Sequence, residues 1–478
     1  MYIFYIRMWV ISIIFMDSPY LTIFVIKKLY LDFFQMDQHP MYTLETAIAA
    51  IKSHDVTQLN NLLHFMQDEV KTDSELVKNM ASSPDFFQAL SDMVSEFKSE
   101  EILSCIYQLA ETFLPILPDQ NKVEFIDSGI EFCLPEALNS KNTEFILKTV
   151  DFVIFLARQT EYAIDSLFSF GIHTQLLDIA EKNMTIGGSS INRQVADHAL
   201  TGVFTLFGMH QNILSTILQS TLPRVTQMML DTQDVEEKKT LLKTITEITN
   251  QRFSFCFILY DCGAVPTIYK MLDDPNYITT ALPLIGNLCL SSREHVEELI
   301  SMGLPEKLTD LLKQPEYAVD AYWCLSNLTE AAPDLVSKKI VNEENMSKLL
   351  DKILKDTLQT ESISLKKEAT FFLATLIMYV SRNYQHAFIK KGIFESLVSC
   401  LEITDDNVVV TRILNVFNRF MIHVGHNFDK EYEPFNKLVN EFKLLKKVDR
   451  IAHLEDQMLV TKAHEVINQY KELTEFHK

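Results

Sequence analysis

The stretches Gly263-Ala-Val-Pro-Thr-Ile-Tyr-Lys-Met-Leu272 and Gly303-Leu-Pro-Glu-Lys-Leu-Thr-Asp-Leu-Leu312 decide the fold of this chain. Each is a short apolar block that opens on glycine and closes on a hydrophobic pair. Glycine opens three further copies, at 129, 171 and 392, and other residues open the copies at 85, 221 and 345. The eight openings are separated by 40 to 50 residues. One such unit cannot bury its own apolar face, so the recurrence predicts units that stack into a continuous core.

Each repeat carries three helical signals. Between the two clearest copies, helix-forming stretches at 263–272, 277–290 and 295–301 are separated by the polar breaks 273–276 and 291–294. A period of this length is typical of armadillo and HEAT repeats, and three helices in each repeat favour the armadillo plan. We therefore expect an all-α protein, an armadillo-repeat right-handed superhelical solenoid.

The composition also favours helices. The chain contains only 11 Gly and 14 Pro among 478 residues, well below their average usage of about 7 and 5 per cent. A β-rich protein needs both residue types at its turns, so their scarcity favours an almost purely helical chain. We expect the glycines at repeat openings to adopt the left-handed conformation that ends one helix before the next begins; they are Gly129, Gly171, Gly263, Gly303 and Gly392.

The ends of the chain differ from its repeats. We expect a helical N-terminal cap at 41–80, about eight armadillo repeats at 81–432 and a C-terminal capping repeat at 433–478, because terminal units must close an otherwise exposed core. Residues 1–40 form an apolar segment that charged residues interrupt too often for a simple membrane span. Two interpretations stay open: translation begins at Met36 or Met41 and the segment is a gene-model artefact, or the segment is a membrane or organelle anchor. We favour the first.

Cysteine usage and motif content speak against catalysis. The seven cysteines are scattered and form no C-x-x-C pair, which predicts buried thiols in a reducing compartment and no zinc site. No nucleophile elbow, kinase motif set or H-E-x-x-H motif occurs. We therefore expect no enzyme activity, no catalytic residue, no cofactor and no bound metal.

The charge of the chain restricts its partners. A formal net charge of −21 disfavours direct binding of nucleic acid, because phosphate contacts require clustered Lys and Arg. An acidic groove attracts cationic peptides instead. A soluble acidic protein without such a partner would have the same charge, and that interpretation stays open.

The stretch Tyr322-Trp-Cys-Leu-Ser-Asn-Leu328 resembles the peptide-binding helix of the importin-α family. In that family the third helix of many repeats carries the pattern W-x-x-x-N. Four residues make about one helical turn, so both side chains project from one face. The tail at 435–442, 448–454 and 463–470 is similar to the family's last repeat, and the eight openings match the family's repeats in order. The resemblance therefore covers roughly residues 45–472.

The resemblance implies a nuclear import adaptor, present in cytoplasm and nucleus, that binds basic nuclear-localisation-signal peptides in a concave groove. In such a groove the Asn amide binds the peptide backbone, and indole walls hold the stems of Lys or Arg. The implied peptide-binding residues are Trp323, Asn327, Asn287 and Phe371. The implied partners are cargo proteins that carry these basic signals. Importin-β and an export receptor are further implied partners, although nothing before residue 80 matches the family's Arg/Lys-rich importin-β-docking segment. We expect no direct nucleic-acid or membrane partner.

The early repeats depart from the family pattern. Where the family carries Trp-Asn pairs, this sequence has Ser104 with Gln108, Asp151 with Phe155, Thr201 with Thr205, and Lys243 with Glu247. Phe371 is followed by Thr375, which keeps an aromatic wall but loses the amide. The alternative prediction is therefore an armadillo scaffold for protein interactions that has lost cargo transport.

Overall fold

The computed structural model describes residues 42–475 except 73, 97–98, 185–189, 211, 341–342, 380–387 and 405. The apolar segment predicted at 1–40 lies outside the described residues. Within them, every regular element is a helix. The chain divides into two compact units, Met1–His210 and Gln211–Lys478, which are described here as unit 1 and unit 2.

Unit 1 begins with the helices of the predicted N-terminal cap, and the predicted boundary at residue 80 falls near the end of the third of them. The helices of unit 1 are α1 Leu44–Lys52, α2 Val56–Thr72, α3 Ser74–Ala81, α4 Pro84–Glu96, α5 Glu100–Phe113, α6 Asp119–Asp127, α7 Leu134–Ala137, α8 Thr143–Ala157, α9 Glu161–Ser169, α10 Ile172–Asn183 and α11 Ser190–Met209, with short 3₁₀ turns at Leu114–Ile116 and Ile130–Cys133.

Unit 2 continues the alternation of short and long helices, and the predicted boundary of the C-terminal cap at residue 433 falls inside α25. Its helices are α12 Ser215–Asp231, α13 Val235–Gln251, α14 Cys256–Asp261, α15 Val265–Lys270, α16 Ile278–Leu288, α17 Arg293–Ser301, α18 Leu304–Leu311, α19 Pro315–Ala331, α20 Pro333–Ile340, α21 Glu343–Leu358, α22 Ile363–Tyr379, α23 Lys391–Ile403, α24 Asn407–His426, α25 Phe428–Glu441, α26 Leu444–Ile451 and α27 Gln457–Glu475, with 3₁₀ turns at Phe253–Phe255 and Met271–Asp273.

Four of the five glycines at repeat openings adopt the predicted left-handed conformation. The backbone angle φ is 90° at Gly129, 67° at Gly171, 67° at Gly263 and 91° at Gly303. Each stands between the end of one helix and the start of the next, where a side chain would strain the backbone. The prediction is wrong for Gly392, which lies inside α23 without a positive φ. The openings at 85 and 345 lie near the starts of α4 and α21, and the opening at 221 lies in the interior of α12.

Side-chain caps fix where three of the long helices begin. Asn142 accepts hydrogen bonds from the backbone N–H groups at the start of α8. Asp234 does the same for α13 and Asp406 for α24. The first N–H groups of a helix have no partner inside the helix, so each cap stabilises its start by about 1 kcal/mol.

The longest helix of each repeat packs against the longest helix of the next repeat. In unit 1 this row consists of α2, α5, α8 and α11, and in unit 2 of α13, α16, α19, α22, α24 and α27. We call each a third-helix row. Shorter helices pack on the row from within their own repeat, as α18 does on α19 and α21 on α22. This order of helices is that of an all-α armadillo-repeat solenoid, and the predicted fold class is confirmed.

Large aromatic side chains fill the core between repeats. In unit 1, the rings of Phe86, Phe87, Phe113 and Phe125 form one cluster, and all four side chains are buried. In unit 2, Tyr322 is fully buried and its hydroxyl donates to Asp356 Oδ2 at 2.8 Å. Burial of each such ring contributes about 1.5–3 kcal/mol, so stacking of neighbouring repeats supplies much of the stability that a single repeat lacks.

The cysteines remain free thiols, and six of the seven are buried, with Cys262 partly exposed. Burial raises the pKa of Cys256 to about 12. A thiol with so high a pKa is protonated and unreactive near neutral pH. Assignment to a reducing compartment stays a prediction.

In the described part of the chain, no single helix combines the length and apolarity needed to cross a membrane. One pair of short helices, Phe253–Asp261 and Val265–Asp273, reaches that length and composition only when taken together, and the two are bent by 98°.

Candidate functional site

The four predicted site residues all lie on consecutive helices of the third-helix row in unit 2. Asn287 is on α16, Trp323 and Asn327 are on α19, and Phe371 is on α22. Because α16 packs on α19 and α19 on α22, the structure brings these residues into one region. Their surroundings differ strongly, however.

Trp323 is partly exposed, and its indole lies against Gly286 of the preceding third helix. A Cβ atom at position 286 would lie 1.8 Å from Trp323 Cζ3 and 2.4 Å from Cε3. Only glycine leaves room for the ring in this position. Gly286 is not among the predicted site residues, and its signal in the sequence is a glycine inside an otherwise apolar helix.

Asn327 is also partly exposed and is fixed by the same glycine. Its Nδ2 donates to the Gly286 carbonyl oxygen at 3.2 Å. A side-chain amide has two N–H protons and one carbonyl oxygen, and this bond uses one proton. Trp323 and Asn327 are therefore held in place by contacts to one backbone position of α16.

Asn287 is fully buried, which corrects the expectation that its amide faces a ligand. Its Nδ2 donates to Thr249 Oγ1 at 2.8 Å and to Asn250 Oδ1 at 2.8 Å, both on α13. Position 287 faces α13 of the preceding repeat, so the Asn287 side chain lies between α13 and α16. Position 286 faces the Trp323 indole of the following repeat. Asn287 thus joins two repeats.

Phe371 is partly exposed, as expected of an aromatic wall, but another side chain of the protein covers it. The guanidinium carbon of Arg412, on α24, lies 5.1 Å from the centroid of the Phe371 ring and 5.5 Å from that of Tyr379. The Arg412 guanidinium also forms an ion pair with Glu330. Sequence reasoning missed Arg412 because it lies in the next repeat.

Carboxylates flank the Trp-Asn pair on its own helix. Asp320 precedes Trp323 by three residues and Glu330 follows Asn327 by three, so the four side chains form one stripe along α19. Burial raises the pKa of Asp320 and that of Glu368 on α22. Lys367 opposes the rise in the pKa of Glu368, and the negative charges of Asp406 and then Asp320 add to it. This part of the row therefore favours cations that can approach an aromatic ring.

Several early-repeat side chains make contacts within their own unit. Asp151, on α8, pairs with His198 Nδ1 on α11 at 3.0 Å. The hydroxyls of Ser104, Thr201 and Thr205 donate to backbone carbonyls of their own helices. These side chains are engaged within unit 1, and none supplies an indole wall.

Comparison with known proteins supports the fold and nothing finer. No protein-family model matches the chain, and no curated protein sequence matches it.

A crystal structure of an engineered protein is similar over 90% of this chain and 99% of its own, with a TM-score of 0.62 and 16% identity. A designed armadillo repeat protein, solved in complex with the peptide (KR)4, covers 52% of this chain and 99% of its own at a TM-score of 0.38 and 20% identity. A second designed armadillo repeat protein has the same score at 21% identity over 52% of this chain and 99% of its own. Scores of this size carry no argument about this chain, and the likeness at 16% identity shows the fold alone.

Proposed function

We propose that this protein binds an extended basic peptide on the third-helix row of unit 2, and that it acts by binding without catalysis. The observation that carries the proposal is the partly exposed Trp323 indole, seated on Gly286, with the Asn327 amide one turn further along α19. An indole so fixed loses little conformational freedom when a ligand packs against it.

The chemistry of the stripe on α19 fits such a peptide. The aliphatic stem of a Lys or Arg packs on the indole face, and its cationic end gains attraction from the ring quadrupole, about 0.5–2 kcal/mol. Asp320 lies along the same stripe to receive the charge, whereas Glu330 is already paired with Arg412. The remaining proton and the carbonyl oxygen of an Asn amide suit the backbone of an extended chain, which presents alternating donors and acceptors.

The finer form of the proposal is a nuclear import adaptor for proteins that carry basic nuclear-localisation signals. Its support is the resemblance of 322–328 and of the tail at 435–470 to the importin-α family. Shuttling between cytoplasm and nucleus, and binding of importin-β and an export receptor, belong to this finer proposal. Import of a reporter protein with a lysine-rich signal into nuclei of permeabilised cells would test it separately from binding.

A second candidate function is an armadillo scaffold without peptide transport. The burial of Asn287 and the cover of Arg412 over Phe371 favour this candidate, because they leave one Trp-Asn pair where a longer peptide would use several.

Fluorescence anisotropy with a labelled lysine-rich peptide and the full chain would decide between the two candidates. We expect the double variant Trp323→Ala/Asn327→Ala to weaken binding by about tenfold or more, since each lost contact contributes about 1–3 kcal/mol. The control is Phe257→Ala, which removes an exposed aromatic side chain (38% exposed) from α14, outside the third-helix row. A peptide with its lysines replaced by alanine should not bind. Binding that is indifferent to both the double variant and the peptide change would favour the scaffold.

A further inference from the structure

The guanidinium of Arg412 fills a slot whose walls come entirely from other helices. Glu330 is supplied by α19, and Phe371, Thr375 and Tyr379 are supplied by α22, whereas Arg412 itself belongs to α24. We call these four wall residues the arginine slot. Two helices therefore build the slot, and a third helix fills it.

The contacts in the slot are those that a guanidinium group makes best. Its carbon lies over two aromatic rings, at 5.1 Å from Phe371 and 5.5 Å from Tyr379. Arg412 Nη1 donates to Thr375 Oγ1 at 3.1 Å, and Nη2 pairs with Glu330 Oε1. A flat, delocalised cation with several N–H donors satisfies all four walls at once. A lysine ammonium has no flat face to stack between the rings.

The slot also opens to solvent. The side chain of Arg412 is 16% exposed and that of Glu330 is 36% exposed, while Tyr379 is 43% exposed. Displacement of the Arg412 guanidinium would open these walls, and it must break the ion pair with Glu330, the hydrogen bond to Thr375 and the contacts with the two rings.

We propose that the arginine slot is a binding site for an arginine side chain of a peptide ligand, and that Arg412 occupies it as a competitor built into the chain. This inference rests on the proposed function, and it adds two features to it. The repeats at α19, α22 and α24 select arginine over lysine at this position. An arginine of the ligand enters the slot only by displacing Arg412. The wild-type protein therefore binds arginine-bearing peptides more weakly than a variant with an empty slot does.

Chemical rescue tests the slot without any peptide. Arg412→Ala should lower the melting temperature of the full chain, and millimolar ethylguanidinium should raise it again by about 2 °C relative to ethylammonium at the same concentration. Wild type should show no such difference, because its slot is filled. The matched control is Arg419→Ala, which removes the same charge from the same helix; Arg419 donates to the Met378 carbonyl oxygen and is not a wall of the slot. An equal change in the melting temperature of Arg412→Ala with the two cations would contradict the proposal that the slot binds a guanidinium group.

Peptide binding tests the competition. Arg412→Ala should bind an arginine-bearing basic peptide about fivefold more tightly than wild type does, and a lysine counterpart with no comparable gain. A further Glu330→Gln change should remove the gain. If Arg412→Ala does not fold, Arg412→Lys keeps the stem and one charge and should show a smaller gain of the same kind.

The two arms separate this inference from the proposed function. One outcome is that peptide binding depends on Trp323, while the Arg412 variants show no gain in affinity and no rescue of the melting temperature. This outcome would contradict the arginine slot and would leave the proposed function unaffected. Rescue by ethylguanidinium without any peptide binding would support the slot as a guanidinium site, while the competition and the proposed function would both fail.

Discussion

His173 is a buried histidine on α10, placed between aromatic side chains rather than beside a carboxylate. Its ring lies 5.1 Å from that of Phe168 and 6.3 Å from that of Phe207, and its Nδ1 has no hydrogen-bond partner in the described structure. Burial therefore lowers the pKa of His173 below its ordinary value near 6.5. The protonated form is disfavoured in the folded protein because water is excluded from the ring.

We expect His173 to make unit 1 less stable in mild acid. The unfolded chain binds a proton near pH 6.5, whereas the folded chain resists it, so the free energy of unfolding is highest above pH 6.5 and falls as the pH drops below it. The contribution of one proton is at most about 1.4 kcal/mol per pH unit. Urea unfolding from pH 8 to pH 5 of wild type and His173→Phe would measure it. Identical pH dependence in the two proteins would contradict the assignment, because other titrating groups are common to both.

At the scale of single helices, two glycines in the third-helix row of unit 2 have opposite roles. Gly286 in α16 supports the Trp323 indole, and a Cβ there would collide with Cζ3 at 1.8 Å. Gly425 in α24 is exposed, and a Cβ there would meet Leu473 Cδ1 at 3.6 Å, an ordinary contact.

We expect Gly286→Ala to destabilise the protein by about 1–3 kcal/mol and to weaken peptide binding, since the indole must leave its position. Gly425→Ala should be neutral or stabilise by up to about 1 kcal/mol, because alanine is the better helix former where no clash arises. Denaturant midpoints of both variants and the anisotropy assay measure these effects. A Gly286→Ala protein with wild-type stability and affinity would show that the indole is not held by this contact.

At the scale of the whole molecule, the net charge of −21 acts on any cationic ligand. Long-range attraction of this kind is screened by salt, because the Debye length shortens from about 14 Å at 50 mM to about 4 Å at 500 mM. We expect binding of the lysine-rich peptide to weaken on the order of tenfold over this range. The melting temperature at both salt concentrations is the control, and it should hold or rise as repulsion between like charges is screened. Affinity independent of salt would show that the net charge of the protein does not contribute to binding of the peptide.

The sequence predicted those features of the fold that depend on local spacing. The period of 40 to 50 residues predicted the repeats, and the glycines at 129, 171, 263 and 303 predicted where helices stop. The W-x-x-x-N spacing placed Trp323 and Asn327 on one face of α19, because that relation depends only on the geometry of a single helix. It could not predict the continuous helix at 221, which lies inside α12, or the absence of a positive φ at Gly392, the second residue of α23.

The tertiary structure decided which of the site residues are accessible. Asn287 is buried against α13, Trp323 rests on Gly286, and Arg412 covers Phe371, and each of these contacts joins neighbouring repeats. The hydrogen bond from Asn327 to Gly286 spans 41 residues of sequence. The sequence by itself therefore determined an all-helical repeat protein and the stripe on α19. Stacking of the repeats determined which groups face solvent, because a side chain on one third helix is covered or exposed by the third helix of the next repeat, which lies far from it in sequence.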